Sequence, residues 1–398
     1  MWLNGDEQDV RNLFANASST MLNAIIGKRK IIVIDEAQRI TNIGLGLKLI
    51  TDNISEVQVI ATGSSSFDLS NKINEPLTGR KMEYWMYPLS FGELVDHNGL
   101  LEEKRLLAHR LVYGSYPDVV NHVGEERLTL NELANSYLYK DILMFDKIKK
   151  SDKLVKLLQA LAFQMGSEVS YNELSQTCGL DPKTVESYIT LLEQSYIVFR
   201  LGSFSRNLRN ELKFARKIYF WDCGIRNAVI GNYQMVESRP DTGALFENYM
   251  VSERLKKLRY EKSYAQSYFW RSKTKQEIDY IEDIDGQLSA VEFKWNPKRK
   301  ASMPLSFSRS YPDVEFKVLN QKIFGGEKMN RTIEEVRKAK GFTQEQVAKG
   351  VGIGASTYCQ YETGLRGVPA EVANKIARFL DVEIGEIFLP TKFTVRKH

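Results

Sequence analysis

Residues 30–40 read KIIVIDEAQRI. Ile31, Ile32, Val33 and Ile34 form a β-branched apolar run with no polar alternation. That pattern predicts a strand buried on both faces, at the centre of a parallel sheet. The run ends in two adjacent carboxylates, Asp35 and Glu36. The C-terminal edge of such a strand is where α/β sheets place their ligands. One carboxylate there could hold a divalent cation while its neighbour polarises a water. The same pair also reads as a solvated acidic turn. Downstream, EVQVIATG (residues 56–63) predicts a second buried strand ending in Thr62, Gly63 and Ser64. Thr62 and Ser64 are therefore candidates to contact a phosphate or its attacking water.

Further motifs follow in order: IDEAQ at 34–38, TGSSS at 62–66, LTGR at 77–80, YPLSFGEL at 87–94 and YGSYPDVV at 113–120. Their order and spacing resemble the AAA-type ATPases that carry a C-terminal nuclease-like domain of unknown function. The resemblance runs from about Trp2 to about Asn320. It implies that Asp35 and Glu36 are a Walker B pair serving ATP and Mg²⁺, with Asp35 on the metal. It also makes Arg80 a candidate arginine finger, acting in cis or from a neighbouring subunit, against the alternative of an ordinary surface arginine. One part of the family pattern is absent. The Walker A loop GxxxxGK[ST] has no counterpart: Gly27-Lys28 is followed by Arg29, and Leu22 stands where the first glycine belongs. Without the amide nest and its lysine, little ATP binding is expected unless a Walker A is restored. The expectation is a truncated N-terminus or a decayed copy.

The 398 residues call for two to four domains. An apolar fraction of 43% and a charged fraction of 26% are those of an ordinary globular protein. No apolar run approaches the roughly 18 residues of a membrane span. The three cysteines are far apart and the four histidines form no cluster. We expect a reduced, cytoplasmic protein with no membrane partner. The net charge of +5 permits nucleic-acid binding without demanding it.

The expected fold is multidomain α/β. Residues 1–98 form a truncated AAA-type core, and 99–165, with apolar residues at helical spacing, a helical lid. Residues 166–205 predict a winged helix: a short helix, a turn at Gly179, a helix capped by Asp181 and started by Pro182, then a strand. In that second helix Val185, Ile189 and Leu192 should face inward, and Lys183, Thr184, Glu186 and Ser187 outward.

Residues 206–320 carry a second candidate chemistry. A strand at 217–224 ends near Asp222, a helix bears Glu247, and three strands follow, joined by the hairpin turn Asp285-Gly286. Alternation in LSAVEFKW puts Glu292 and Lys294 on one face, beside Asp279 of the preceding strand. Glu247, Asp279, Glu292 and Lys294 resemble the catalytic set of restriction-endonuclease-like folds. There, Asp279 and Glu292 would bind Mg²⁺, Lys294 would orient the water, and Glu247 would complete the shell. A surface set of salt bridges is the alternative.

After a glycine-bearing linker at 321–328, residues 329–398 resemble the Xre and phage-repressor helix-turn-helix domains. Thr343 caps the first helix of the motif, Gly352 makes the turn, and Ala355–Tyr361 is the recognition helix. The resemblance implies that Gln344 touches backbone phosphate and that Ala355, Ser356 and Gln360 face base edges. Thr357 would contact phosphate or base, and Lys349 and Arg366 phosphate. It implies palindromic double-stranded DNA bound by a homodimer. The expected function is sequence-specific DNA binding by an AAA-family body that lacks its P-loop. An ATPase whose Walker A lies outside this sequence, and a Mg²⁺-dependent nuclease, are the alternatives.

Overall fold

The structure is a computed structural model that describes residues 1–54, 56–63, 77, 79–135, 151–205, 216–272, 274–322, 333–362 and 368–382. These fall into two compact units. One comprises residues 1–90, 108–293 and 301–317; the other comprises residues 91–107, 294–300 and 318–398. The architecture is mixed α/β with a C-terminal helical bundle. No helix among the described residues is long and apolar enough to cross a membrane. Most of the expected linker lies outside the described residues.

The first unit opens with three parallel strands, β1 (Trp2–Asn4), β2 (Ile31–Asp35) and β3 (Gln58–Ala61), in the order β1-β2-β3. The decisive run is thus the central strand, as its composition requires. Helices Gln8–Ala15, Ser19–Ile26 and Ile43–Asn53 send Val10, Phe14, Leu22, Ile26, Ile43 and Leu47 into one core with Ile32 and Ile34. The expectation of burial on both faces is corrected. Trp2, Val33 and Ile60 are lateral neighbours on the opposite face, which Ile31 shares. There Trp2 is 65% exposed, Ile31 55% and Ile60 46%. The cause is that, among the described residues, these three helices contribute to one core on one face of the sheet. Residues 84–90, YWMYPLS, form no strand. Residues 81–90 run without ladder partners, and Pro88 has no amide to donate.

A seven-stranded sheet forms the rest of the frame. Its strands are β4 (Glu168–Val169), β5 (Val198–Ser203), β6 (Arg216–Phe220), β7 (Gln266–Arg271), β8 (Glu277–Ile284), β9 (Gln287–Lys294) and β10 (Glu315–Asn320). The spatial order is β10-β9-β8-β7-β5-β6-β4. The strands of residues 166–205 and of residues 206–320 therefore share one sheet. The helix pair Tyr171–Cys178 and Pro182–Gln194 precedes β5. Gly179 sits between them in the left-handed region and Asp181 caps Thr184. Val185, Ile189 and Leu192 are buried, while Lys183, Glu186 and Ser187 are exposed.

Asp285 and Gly286 both take positive φ and close the β8–β9 hairpin at Ile284 and Gln287. On its other side β8 carries an extra residue. Ile278 to Ile281 spans three steps where Trp270 to Tyr268 spans two. This is a bulge, and it places Ile278 and Ile281 in the same apolar cluster. The residues between them, Asp279 and Tyr280, are released from simple alternation.

In the second unit, helices Ile333–Ala339, Gln344–Val351, Ala355–Glu362 and Ala370–Phe379 enclose Val336, Val347, Tyr358, Ile376 and Leu380. Gly350 lies so close to the Phe379 ring that a β-carbon would enter it.

Candidate functional site

The helix-turn-helix is built from local rules. Thr343 accepts from the Gln346 amide while the Gln346 side chain accepts from the Thr343 amide, a reciprocal cap. The helix ends on Gly352 at φ 79°, and the turn leads into Ala355–Glu362. Tyr358 and Tyr361 anchor that helix in the core. Ala355, Ser356 and Gln360 are exposed, Thr357 is half-buried, and Lys349 is exposed on the preceding helix. Glu362 is buried against Arg337, whose Nε donates to its Oε1 at 2.6 Å. Gln344 donates to the other oxygen of Glu362, so its side chain is tied to the motif's own frame. Arg366 and Ser64 lie outside the described residues.

At the C-terminal edge of β2 the structure brings Asp35 and Thr62 together. The Thr62 hydroxyl donates to Asp35 Oδ1, and the Thr62 amide extends the β2–β3 ladder to Ile34. Glu36 takes a left-handed conformation at φ 48°. Its Oε2 accepts from Gln38 at 2.7 Å and lies 3.6 Å from Arg39, which also pairs with Asp6. Gly5 is pressed against the Glu36 carbonyl, where no side chain would fit. Arg80 is not part of this group. It pairs with Asp52, in the last turn of the helix Ile43–Asn53.

Glu277 of the seven-stranded sheet and Glu247 of the helix Thr242–Tyr260 meet at a lysine that the sequence did not single out. Lys217 on β6 is 1% exposed. Its ammonium donates to Glu247 Oε1 at 3.0 Å and to Glu277, and faces the buried ring of Phe269 at 5.4 Å. Tyr219, two residues on along β6, donates to the same Glu247 oxygen at 2.6 Å. Glu247 is held there by its neighbour. Asn248 bonds both backbone groups of Phe220, at 2.7 and 3.0 Å, and so pins the helix Thr242–Tyr260 against β6.

Burial pushes the Glu247 carboxyl up to about 7, against the pull of Lys217, and the charge of Asp279 adds to the rise. Burial works to lower the Lys217 ammonium, but Glu247 and Glu277 override it and hold the pKa raised. Arg271 extends the network to Glu168 at 3.2 Å and to Glu277 at 3.6 Å. Asp279 is buried on the bulge, and its Oδ2 accepts the Phe293 amide at 2.9 Å. Glu292 is buried on β9; Lys294 closes that strand and is counted with the second unit. Among the described residues, no group of three His, Cys, Asp or Glu side chains is disposed to hold a metal ion.

With this geometry in view, the similarities to known proteins take on meaning. A family model described as AAA domain matches residues 1–95, and one described as Helix-turn-helix matches residues 333–387. The chain carries an AAA domain at its N-terminus and a helix-turn-helix domain at its C-terminus. Between them, two models described as domains of unknown function match residues 104–235 (DUF8612) and 242–341 (DUF4143).

An uncharacterized protein of Haemophilus influenzae is 26% identical over 185 residues, 44% of this chain and 46% of the relative. One of Mycobacterium tuberculosis is 25% identical over 295 residues, 72% of this chain and 62% of the relative. The chain thus spans less than two thirds of these relatives' length. The helix-turn-helix domain is similar to a Vibrio cholerae protein named as the cryptic phage CTXphi transcriptional repressor RstR. That match is 38% identical over 55 residues, 14% of this chain and half of the relative.

Lys217, Tyr219 and Glu277 escaped the reading of the sequence for a physical reason. KIYFWD reads as an apolar strand with a cation at its start, and such a cation is ordinarily exposed. Its burial follows from Glu247 and Glu277, both remote along the chain. The β6–helix juxtaposition that joins them is a tertiary fact.

Proposed function

We propose that this chain binds double-stranded DNA sequence-specifically through the helix-turn-helix domain, carried on an AAA-family body. The observation that carries this reading is the presentation of Ala355, Ser356 and Gln360 on an exposed helix face whose reverse is locked by Tyr358, Tyr361 and the Arg337–Glu362 pair. Gln360 has the donor–acceptor pair that reads adenine in the major groove, and Lys349 stands ready for phosphate. The similarity to a transcriptional repressor supports the same reading. Two-fold half-sites would match a homodimer.

Selection of duplexes from a random pool by the full chain tests it. An enriched sequence is expected. On that sequence Q360A should lose about 1–3 kcal/mol, roughly 5- to 150-fold, with nonspecific binding little changed. K349A should weaken all sequences alike and lower the salt slope by about one. A pool that shows no enrichment would overturn the proposal.

The AAA domain implies ATP and Mg²⁺. The Asp35–Thr62 pair occupies the right edge for them. Yet one Asp35 oxygen is engaged by Thr62, Glu36 is engaged by Gln38 and lies beside Arg39, and no GxxxxGK[ST] loop occurs in the sequence. In this reading these residues alone do not make a nucleotide site, and the DNA-binding function proceeds without one.

A further inference from the structure

The resemblance to restriction-endonuclease-like folds implies Mg²⁺ at Glu247, Asp279 and Glu292. The residues around Glu247 do not fit it. Mg²⁺ demands oxygen ligands at close to 2 Å in octahedral array and keeps several waters. Here the point where Glu247 and Glu277 converge is filled by the Nζ of Lys217. On another side lies the Phe269 ring, which is fully buried and offers a π face but no oxygen. Two carboxylates and an aromatic face are a good enclosure for an ammonium and a poor one for a hydrated dication. Part of the remaining acceptor capacity is used as well. Glu247 Oε1 takes the Tyr219 hydroxyl as well as Lys217, and one Asp279 oxygen takes the Phe293 amide. A dication bound to Glu247 would lie within a few ångströms of the ammonium in a region of low dielectric, where like charges repel strongly.

We propose that the Lys217 ammonium is the resident cation of this core, standing in the place of a divalent metal between Glu247 and Glu277. The Glu247–Glu277 pair is then neutralised by the chain's own side chain and needs no metal.

Mn²⁺ binding to the purified full chain, followed by electron paramagnetic resonance and by thermal melting, tests this. The wild type should bind no Mn²⁺ at this site at millimolar metal, and neither Mn²⁺ nor EDTA should move its melting temperature. K217M should melt lower in EDTA. It should gain one Mn²⁺ per chain, recover part of the loss, and give up that gain when E247Q is added. K217R, which keeps the charge, should remain blind to metal. One Mn²⁺ on the wild type that E247Q removes would overturn the proposal, whether or not K217M folds. A folded K217M that binds no Mn²⁺ would overturn it too.

Discussion

Asp241 carries more of the fold than its position in a loop before a helix suggests. Its carboxylate accepts from Arg226 at 2.6 Å and from Arg239 at 2.6 and 3.0 Å. Both guanidinium groups are buried. Arg226 also donates to the Ala162 carbonyl, and Arg239 to Asn227, whose amide bonds the carbonyls of Leu111 and Val112. One carboxylate thus bridges two buried cations that tie several helices together. D241N would leave both cations without a counter-charge and should cost about 3 kcal/mol in urea unfolding. Burial alone would raise the Asp241 carboxyl; Arg239 and Arg226 override it and hold the pKa near about 2. A folded pKa below the unfolded value of about 4 gives stability that is complete above pH 4. That contribution fades as the pH falls through about 2. Acid titration of stability should show this loss in the wild type and not in D241N.

Gly114 is a second such position. It has φ 73°, and a β-carbon would enter the Asp222 carboxylate, which accepts the Ser115 amide at 2.7 Å and the Ile225 amide at 2.9 Å. G114A should cost about 2 kcal/mol or more on the same urea curves. A loss under 0.5 kcal/mol would mean that the Asp222 cap is not rigid.

The elements divide by how local their causes are. The C-terminal helices were legible because caps, glycines and apolar spacing lie within a few residues of each other. Thr343 with Gln346, and Gly352 at the turn, needed no partner from elsewhere in the chain. The same holds for Asp181 before Pro182 and for Asp285-Gly286. T343A should therefore act locally. It should lower the stability of the helix-turn-helix by about 1 kcal/mol and loosen amide protection in Gln344–Val351, read by hydrogen exchange. An unchanged exchange pattern would show that packing, not the cap, sets that helix end. Strand faces were less legible. Composition named β2 as a strand but could not say how many faces are covered, since that depends on where three helices land. The bulge at Asp279 was invisible for the same reason. Whether a strand gains a residue relative to its neighbour is decided by the pairing, and a pattern of alternation assumes that none is gained. The grouping of Glu247 with Lys217 rests on the Asn248 clasp to β6, which no spacing rule encodes.

At the scale of the molecule, the helix-turn-helix has a core of its own. Val336, Val347, Tyr358, Ile376 and Leu380 pack with one another and with Phe342, Ile353, Val368, Val372 and Phe379, all within residues 333–382. So small a core has little stability to spare. I376A, at a fully buried position, removes apolar volume worth about 2–5 kcal/mol. That is enough to unfold a domain of this size, whereas the sheet body draws on different residues, among them Ile278, Ile281, Ala290 and Phe307. Calorimetry of the full chain should show one transition that collapses in I376A and another that stays within a degree or two. Specific DNA binding should vanish with the first. If a single transition moves as a whole, the helix-turn-helix draws its stability from the rest of the chain. DNA binding would then report on the state of the body, and the AAA domain would have a physical route to control it.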